Sequence, residues 1–366
     1  ADNSTGLILA SSPMFKKIFG KSNVGRAYDL PFDIKTRKFS YYNARKQGLP
    51  TDSDYVRYIE DWAQVTLIVP PRMDEYIAVN MEIQRIFQNY GSPDDIYPYS
   101  IDEGFIDLTS SLNYFIPDKS LSRKDKLDML SARIQRDIWR QTGIYSTVGM
   151  SNANPLLAKL ALDNEAKHTP TMRANWSYQD VEEKVWSIPK MTDFWGIGRR
   201  MEKRLHALGI FSIKELATSN PDQLKKALGQ AGLRLWFHAN GIDESNVHKP
   251  YKAKSKGLGN SQILPRDYVK LRDIEIILRE MAKQVAIRLR RSGKKTTLVS
   301  IYVGFSKQEV RSSIHTQMKV EPTNNTAVLT DYVLKLFHNK YTSGAVRSVG
   351  VNYSGFVDDS FGLISL

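Results

Sequence analysis

The last part of the chain changes its hydrophobic period repeatedly, and this order of segments strongly restricts the folds that it can adopt. Apolar residues alternate in four segments, which is typical of strands, and recur every three or four positions in two longer ones, as in amphipathic helices. In chain order, these are a strand at 257–264, a helix at 271–292, strands at 297–304 and 311–320, a helix at 325–339 and a strand at 346–353. This βαββαβ order predicts a small α+β domain.

A second α+β segment precedes this domain. Its predicted order is a strand at 66–69, a helix at 73–87, strands at 96–100 and 104–108, a helix at 124–141, a strand at 145–151 and a helix at 155–167. The order favours an antiparallel-rich sheet with helices on one face. Residues 169–241 are predicted to form short helices joined by glycine-containing turns, and residues 243–256 have the composition of a linker.

Charge is concentrated near the end of the chain. The net charge is +13, and residues 246–366 hold 20 Lys and Arg against nine Asp and Glu, an excess of 11. A local basic excess of this size indicates a surface that binds a polyanion. A solvated basic domain without a ligand is the alternative.

Several classes of protein are excluded by composition. The sequence has no cysteine, which rules out a disulfide scaffold, a cysteine nucleophile and a thiolate zinc site. No apolar run approaches the ~20 residues of a membrane span. The first residues do not resemble a signal peptide. We therefore expect a cytoplasmic protein without a membrane partner.

The segment SIDEGFIDL, residues 100–108, places two adjacent carboxylates, Asp102 and Glu103, between two predicted strands. Two unpaired charges could not be buried there without a large cost. A divalent cation would remove that cost, since Mg²⁺ binds carboxylate oxygens and bridges substrate phosphates. A solvated acidic turn is the alternative.

With Tyr99, the same segment resembles the palm motif of the Y-family DNA polymerases, and the layout of the chain is similar to their UmuC/ImpB/MucB/SamB branch in Gram-positive bacteria. The resemblance implies that Asp102 and Glu103 are catalytic and ligate Mg²⁺, with two ions in the complete site. It implies a structural role for Asp107.

Two further segments resemble parts of this family that bind the triphosphate. Residues 147–161 resemble a strand–loop–helix segment in which Lys159 matches a lysine that contacts the incoming dNTP. Residues 10–20 resemble the fingers segment, where Lys17 matches a basic residue and Met14 stands at a position that is often tyrosine. A surface lysine is the alternative for Lys159.

The segment FWGIGRR, residues 194–200, has the glycine spacing of a helix–hairpin–helix, in which backbone N–H groups approach a phosphate. A tight helix–helix turn is the alternative. The resemblance implies a thumb here that binds the DNA backbone, followed by a little-finger domain that contacts template phosphates. The candidate DNA-binding residues are Gly196, Gly198, Arg199, Arg200, Lys256, Arg288, Arg290 and Arg291.

The resemblance implies an α+β right-hand polymerase. Its expected parts are fingers at 1–65, a palm at 66–167, a thumb at 168–242, a linker at 243–256, a βαββαβ little finger at 257–353 and a tail at 354–366. The expected function is Mg²⁺-dependent, template-directed DNA synthesis past damaged bases in DNA repair and the SOS response, with primer–template DNA and dNTP as partners, at the nucleoid. The apolar tail at 361–366 resembles half of a peptide that binds the replication sliding clamp.

The sequence departs from the family at one motif. The opening strand, Asp-x-x-x-Phe-(Tyr/Phe)-Ala-Ser, which carries the first catalytic aspartate, is not found in it. We therefore expect two of the three metal carboxylates here. A catalytically inactive, polymerase-like DNA-binding or regulatory protein is the alternative that this departure favours. A nucleotidyl cyclase would share a palm-like sheet, but the thumb motif and the basic last domain argue against it.

Overall fold

The computed structural model describes residues 6–20, 25–249 and 256–359. The chain divides into two compact units, one formed by residues 1–69 with 251–366 and the other by residues 70–250. No helix within the described ranges is long and apolar enough to cross a membrane. The predicted clamp-binding tail at 361–366 and residues 250–255 of the predicted linker lie outside these ranges.

The N-terminal region is a small helical cluster with one short strand pair. Its elements are β1 (Leu7–Ile8), α1 (Pro13–Phe19), β2 (Gly25–Arg26), α2 (Tyr41–Lys46) and α3 (Ser53–Val65). Helix α1 begins where the Ser12 side chain accepts a hydrogen bond from the Phe15 N–H, and it ends at Gly20, whose φ of 61° suits glycine. Phe19, Phe32 and Ile59 form the centre of its core.

The predicted strand at 66–69 is wrong. These residues are irregular, and the side chain of Leu67 is 89% exposed. A run of four residues, Thr66 to Val69, is too short to define a strand by itself.

The central unit is mostly helical. Its elements are α4 (Met73–Phe87), β3 (Ile96–Pro98), β4 (Gly104–Ile106), α5 (Leu112–Phe115), α6 (Arg123–Thr142), β5 (Val148–Met150), α7 (Pro155–Asn164), β6 (Arg173–Asn175), α8 (Arg199–His206), α9 (Ile213–Thr218), α10 (Pro221–Leu228) and α11 (Gln230–Ala239).

The strands of this unit form two separate pairs in the described part of the chain. Strands β3 and β4 are antiparallel, with Tyr97 opposite Phe105. Strands β5 and β6 are parallel. The single antiparallel-rich sheet expected from the sequence is therefore not observed there. Strand β6 lies in the stretch predicted to be helical. It was not predicted, because three residues are too few to show a periodic pattern.

Two apolar cores support the unit. One gathers residues of α4 and α6, including Ile86, Leu130 and Ile134. The other continues from Leu156 of α7 to Leu235 of α11. This core thus runs across the palm–thumb boundary predicted between residues 167 and 168. The boundary itself stays a prediction.

The C-terminal domain has the predicted βαββαβ order, followed by one short strand. Its elements are β7 (Gly257–Tyr268), α12 (Leu271–Arg291), β8 (Lys294–Phe305), β9 (Ile314–Thr323), α13 (Thr326–Lys340), β10 (Val346–Ser354) and β11 (Val357–Asp358). Strand β10 pairs with β7 and β8, while β9 and β11 pair with β8, all antiparallel. Both helices pack on the sheet around Leu278, Val303 and Phe337. The α+β prediction is confirmed.

Candidate active site and nucleic-acid interface

The acidic pair lies in the tight turn between β3 and β4. The N–H groups of Tyr99 and Ser100 both donate to the Glu103 carbonyl at 3.0 Å and close the turn. The Ser100 hydroxyl donates to Asp102 Oδ1 at 2.7 Å. Asp102 is exposed and Glu103 is half-buried. Water or a solvated cation can therefore reach the Asp102 carboxylate.

Lys159 of α7 lies beside this turn and is nearly buried. Its Nζ is 2.5 Å from Glu103 Oε1 and 3.2 Å from Asp163 Oδ2. Burial alone would lower the pKa of Lys159, but the contacts with Glu103 and Asp163 outweigh it and raise that pKa above its ordinary value. The predicted metal ligand and the predicted triphosphate ligand are therefore already an ion pair.

Asp163 was not predicted to belong to this site. It also accepts from Lys167 Nζ at 2.7 Å, so a carboxylate one turn along α7 is shared by two lysines. The i,i+4 spacing of Lys159 and Asp163 was the available signal, because residues four apart on a helix are neighbours.

The carboxylates of this site suit a hard cation. Mg²⁺ is usually held by one or two protein carboxylates together with substrate phosphates, and Asp102 and Glu103 can provide the protein's share. Within the described ranges, no group of three or more Asp, Glu or His side chains could hold a metal ion alone. The donors therefore fit a metal whose remaining ligands come from water or from a phosphate-bearing substrate.

Asp107, at the end of the same motif, faces a different partner. Its carboxylate accepts from the Thr109 N–H at 2.9 Å and lies 2.9 Å from His248 Nε2. His248 Nδ1 lies 2.9 Å from the Asp94 carbonyl. These contacts connect the start of the predicted linker to the turn before β3, and the structural role expected for Asp107 stays a prediction.

The glycine-containing segment before α8 forms an exposed turn. Gly196 has a φ of 100°, which favours glycine, and a Cβ atom at this position would meet only Leu235, at 3.6 Å. Gly198 precedes α8 and has no side chain to cap it, so the N–H groups of the first helical turn have neither an intrahelical partner nor a cap from this residue. Arg199 and Arg200 are exposed beside them. This arrangement can bind a phosphate through backbone and guanidinium groups.

The comparisons with known proteins agree with this arrangement. The impB/mucB/samB family model matches residues 39–163, its helix–hairpin–helix motif matches residues 178–210, and its C-terminal domain matches residues 255–366. The putative UV-damage repair protein UvrX of Bacillus subtilis is 33% identical over 359 residues, which cover 98% of this chain and 76% of that protein. The chain belongs to the impB/mucB/samB family of Y-family DNA polymerases.

Other relatives support the same family. DNA polymerase IV 2 of Halalkalibacterium halodurans is 33% identical over 294 residues, covering 80% of this chain and 69% of that protein. A solved Y-family DNA polymerase chimera superposes with a TM-score of 0.63 at 20% identity, over 87% of each chain, which shows the shared fold. The family is one of translesion-type DNA polymerases that use divalent metal ions, and the comparisons favour this class over a non-catalytic DNA-binding protein.

Lys17, the second predicted triphosphate ligand, is exposed on α1. Met14, one turn earlier, is also exposed, and its side chain cannot donate a hydrogen bond. Lys17 belongs to the other compact unit from Asp102, and its role stays a prediction.

The predicted arginines of the C-terminal domain are exposed but partly engaged. Arg288 donates to the Gly259 carbonyl at 2.9 Å, and Arg290 donates to the Asn324 carbonyl at 2.9 Å. Arg291 and Lys256 are exposed. Two of the four side chains thus hold their own domain together and offer only part of their donors to a ligand.

The sheet face of this domain was missed by the sequence prediction. A groove of about 940 Å³ follows β7, β8, β9 and β10. Most of its side chains are polar or small, and its lining includes Asn260, Ser261, Ser300, Tyr302, His315, Gln317, Lys340 and Asn352. The signal was available, because polar residues alternate with buried apolar ones along β8.

Proposed function

We propose that the turn with Asp102 and Glu103, together with Lys159, is the nucleotidyl-transfer site of a translesion DNA polymerase. In the reaction, a primer 3′-oxygen attacks the α-phosphorus of a dNTP. A new phosphorus–oxygen bond forms, the α–β phosphoanhydride bond breaks, pyrophosphate leaves with its electron pair, and the proton of the primer 3′-hydroxyl passes to water. When bound, Mg²⁺ supplies positive charge for the attacking and leaving oxygens.

The Glu103–Lys159 ion pair is the observation that carries this proposal. A carboxylate suited to a cation and an ammonium suited to a triphosphate neutralise each other at 2.5 Å. A metal–dNTP complex carries a cation for Glu103 and an anionic triphosphate for Lys159. It can therefore replace this one contact with two new ones. Asp163 would then keep the Lys159 ammonium near the site.

We propose that DNA is bound without base recognition by the α8 turn and by the C-terminal domain. The α8 turn offers N–H groups and two exposed arginines to a phosphate. In the C-terminal domain, hydrogen-bonding groups and the cationic Lys340 line the sheet groove, and none of its described lining residues is a carboxylate. This groove supports contact with a polyanion better than the helix arginines do, since Arg288 and Arg290 are partly engaged.

Primer extension tests the catalytic assignment. Asp102→Asn and Glu103→Gln should each reduce Mg²⁺-dependent extension by more than about a hundredfold, because metal charge stabilisation contributes several kcal/mol. Binding of primed DNA should persist in both variants. Asp74→Asn, an exposed carboxylate on α4, is the matched control.

The same assay should be run on this chain and on one extended by the family's opening strand. Near-parental extension by Asp102→Asn or Glu103→Gln would contradict the site. Salt-sensitive DNA binding without extension by either form would instead indicate a non-catalytic DNA-binding protein.

A further inference from the structure

Asn80 on α4 contacts the acidic turn, and Gln84 on the same face of the helix supports it. Asn80 Nδ2 donates to the carbonyls of Ser100 and Ile101, at 3.2 and 2.5 Å. Gln84, one helical turn later, donates from Nε2 to Asn80 Oδ1 at 3.3 Å. The amide of Asn80 is therefore used from both ends, which holds it in one orientation.

The two carbonyls that Asn80 binds belong to the residues directly before Asp102. The hydrogen bonds donated by the N–H groups of Tyr99 and Ser100 and by the Ser100 hydroxyl stay within the hairpin. They shape the turn, while the ion pair with Lys159 fixes the Glu103 side chain to α7. Neither contact holds the backbone carbonyls that precede Asp102. Asn80 supplies a side-chain connection from a different element.

Packing at the next residue agrees with this role. A Cβ atom on Gly104 would lie 2.9 Å from Gln84 Nε2, so the backbone at the start of β4 lies close against α4. Gln84 Oε1 is buried and has no hydrogen-bond partner among the described residues. Of the two polar atoms of the Gln84 amide, Nε2 has a hydrogen-bond partner, Asn80, and the buried Oε1 has none.

We propose that Asn80 is a positioning residue that holds Asp102 and Glu103 in the geometry needed for a divalent cation. Two adjacent carboxylates repel each other, and an exposed turn would separate them unless the backbone were held. Asn80 acts through the backbone of the turn and touches neither the cation nor the substrate. The inference deepens the proposed function, on which it rests.

The test measures Mn²⁺ affinity, because this readout does not require turnover. Free Mn²⁺ is followed by its electron paramagnetic resonance signal during titration of the full chain. Asn80→Leu keeps the approximate size of the side chain and removes both donors. We expect it to weaken Mn²⁺ binding about ten- to a hundredfold, as is typical for residues that orient metal ligands. Asn89→Leu, beyond the end of the same helix, is the matched control and should bind as the parent does.

A double-mutant cycle separates positioning from general support of the fold. If Asn80 acts through Asp102, Asn80→Leu should cause no further loss of Mn²⁺ affinity in an Asp102→Asn background. The urea midpoint of the central unit should stay close to that of the parent. Parental Mn²⁺ affinity in Asn80→Leu, losses that add in the double variant, or a parent that binds no Mn²⁺ at this turn would each overturn the inference. Failure of the parent to extend primers while it binds Mn²⁺ would contradict the proposed function and leave the role of Asn80 standing.

Discussion

The C-terminal domain and the central unit differ in how their geometry is held. In the C-terminal domain, the four long strands contain nine to twelve residues and share one apolar core. In the central unit, each strand has three residues, and the acidic turn is held by polar contacts from α4 and α7. Burial distributes stability over many side chains, whereas the site depends on a few contacts that single substitutions can remove.

The largest expected effect tests the core of the C-terminal domain. Phe337 is fully buried, and its ring stacks on Tyr341 with centroids 4.7 Å apart. Phe337→Ala should lower the free energy of unfolding of this domain by about 3–5 kcal/mol, through lost burial and the cavity left behind. Amide hydrogen exchange should show the loss in residues 257–358. Val310→Ala, at a fully exposed position, is the control. Equal loss of protection in residues 70–249 would contradict the separation of the two units.

A substitution that introduces a clash between β5 and α7 tests the stability of the central unit. A Cβ atom on Gly149 would lie 1.9 Å from the Ala158 carbonyl oxygen, and backbone at that distance must move. Gly149→Ala should therefore destabilise this unit by about 1–3 kcal/mol and shift the helix that carries Lys159. Urea unfolding measures the loss of stability. Gly198→Ala is the control, since a Cβ there meets nothing within 4 Å. Unchanged stability in Gly149→Ala would show that the contact between β5 and α7 is loose.

The same difference between regions explains what the sequence could predict. Alternation over eight or more residues, together with two long helices, defines the C-terminal domain well enough that each predicted element is present. Three-residue strands such as Arg173–Asn175 have no readable period, because their neighbours determine them. In the site, the carboxylates and Lys159 could be found by motif and Asp163 by helix spacing. The contact of Asn80 with carbonyls about twenty residues later could not be predicted from a motif or from helix spacing.

Lys159 allows a test of charge rather than packing. Lys159→Met keeps most of the stem of the side chain and removes the ammonium, so the KM for dNTP should rise about tenfold, the value of one charge-assisted contact. Affinity for primed DNA should change less. Steady-state primer extension and DNA titration measure the two quantities. Lys167→Met removes the other partner of Asp163 and should leave the KM unchanged. Equal KM values for Lys159→Met and the parent would show that Lys159 only balances Glu103.

The smallest expected effect concerns pH and the start of the linker. Hydrogen bonds from His248 to Asp107 and the Asp94 carbonyl raise the pKa of His248 above its ordinary 6.5, and the Asp95 carboxylate, 3.7 Å away, acts in the same direction. Burial would raise the pKa of Asp107, but hydrogen bonds from Thr109 and His248 outweigh it and lower that pKa.

Because folding raises the pKa of His248, its contact stabilises most below pH 6.5 and is lost as the pH rises through the folded value. Amide exchange at residues 246–249 should therefore become faster across that range, beyond the intrinsic effect of pH. His248→Gln should remove this excess, and Asp107→Asn should reduce it, since the imidazolium then loses its nearest carboxylate. The C-terminal domain should show no matching change, because its sheet is held mainly by burial. An equal excess in His248→Gln and the parent would assign the pH dependence to another group.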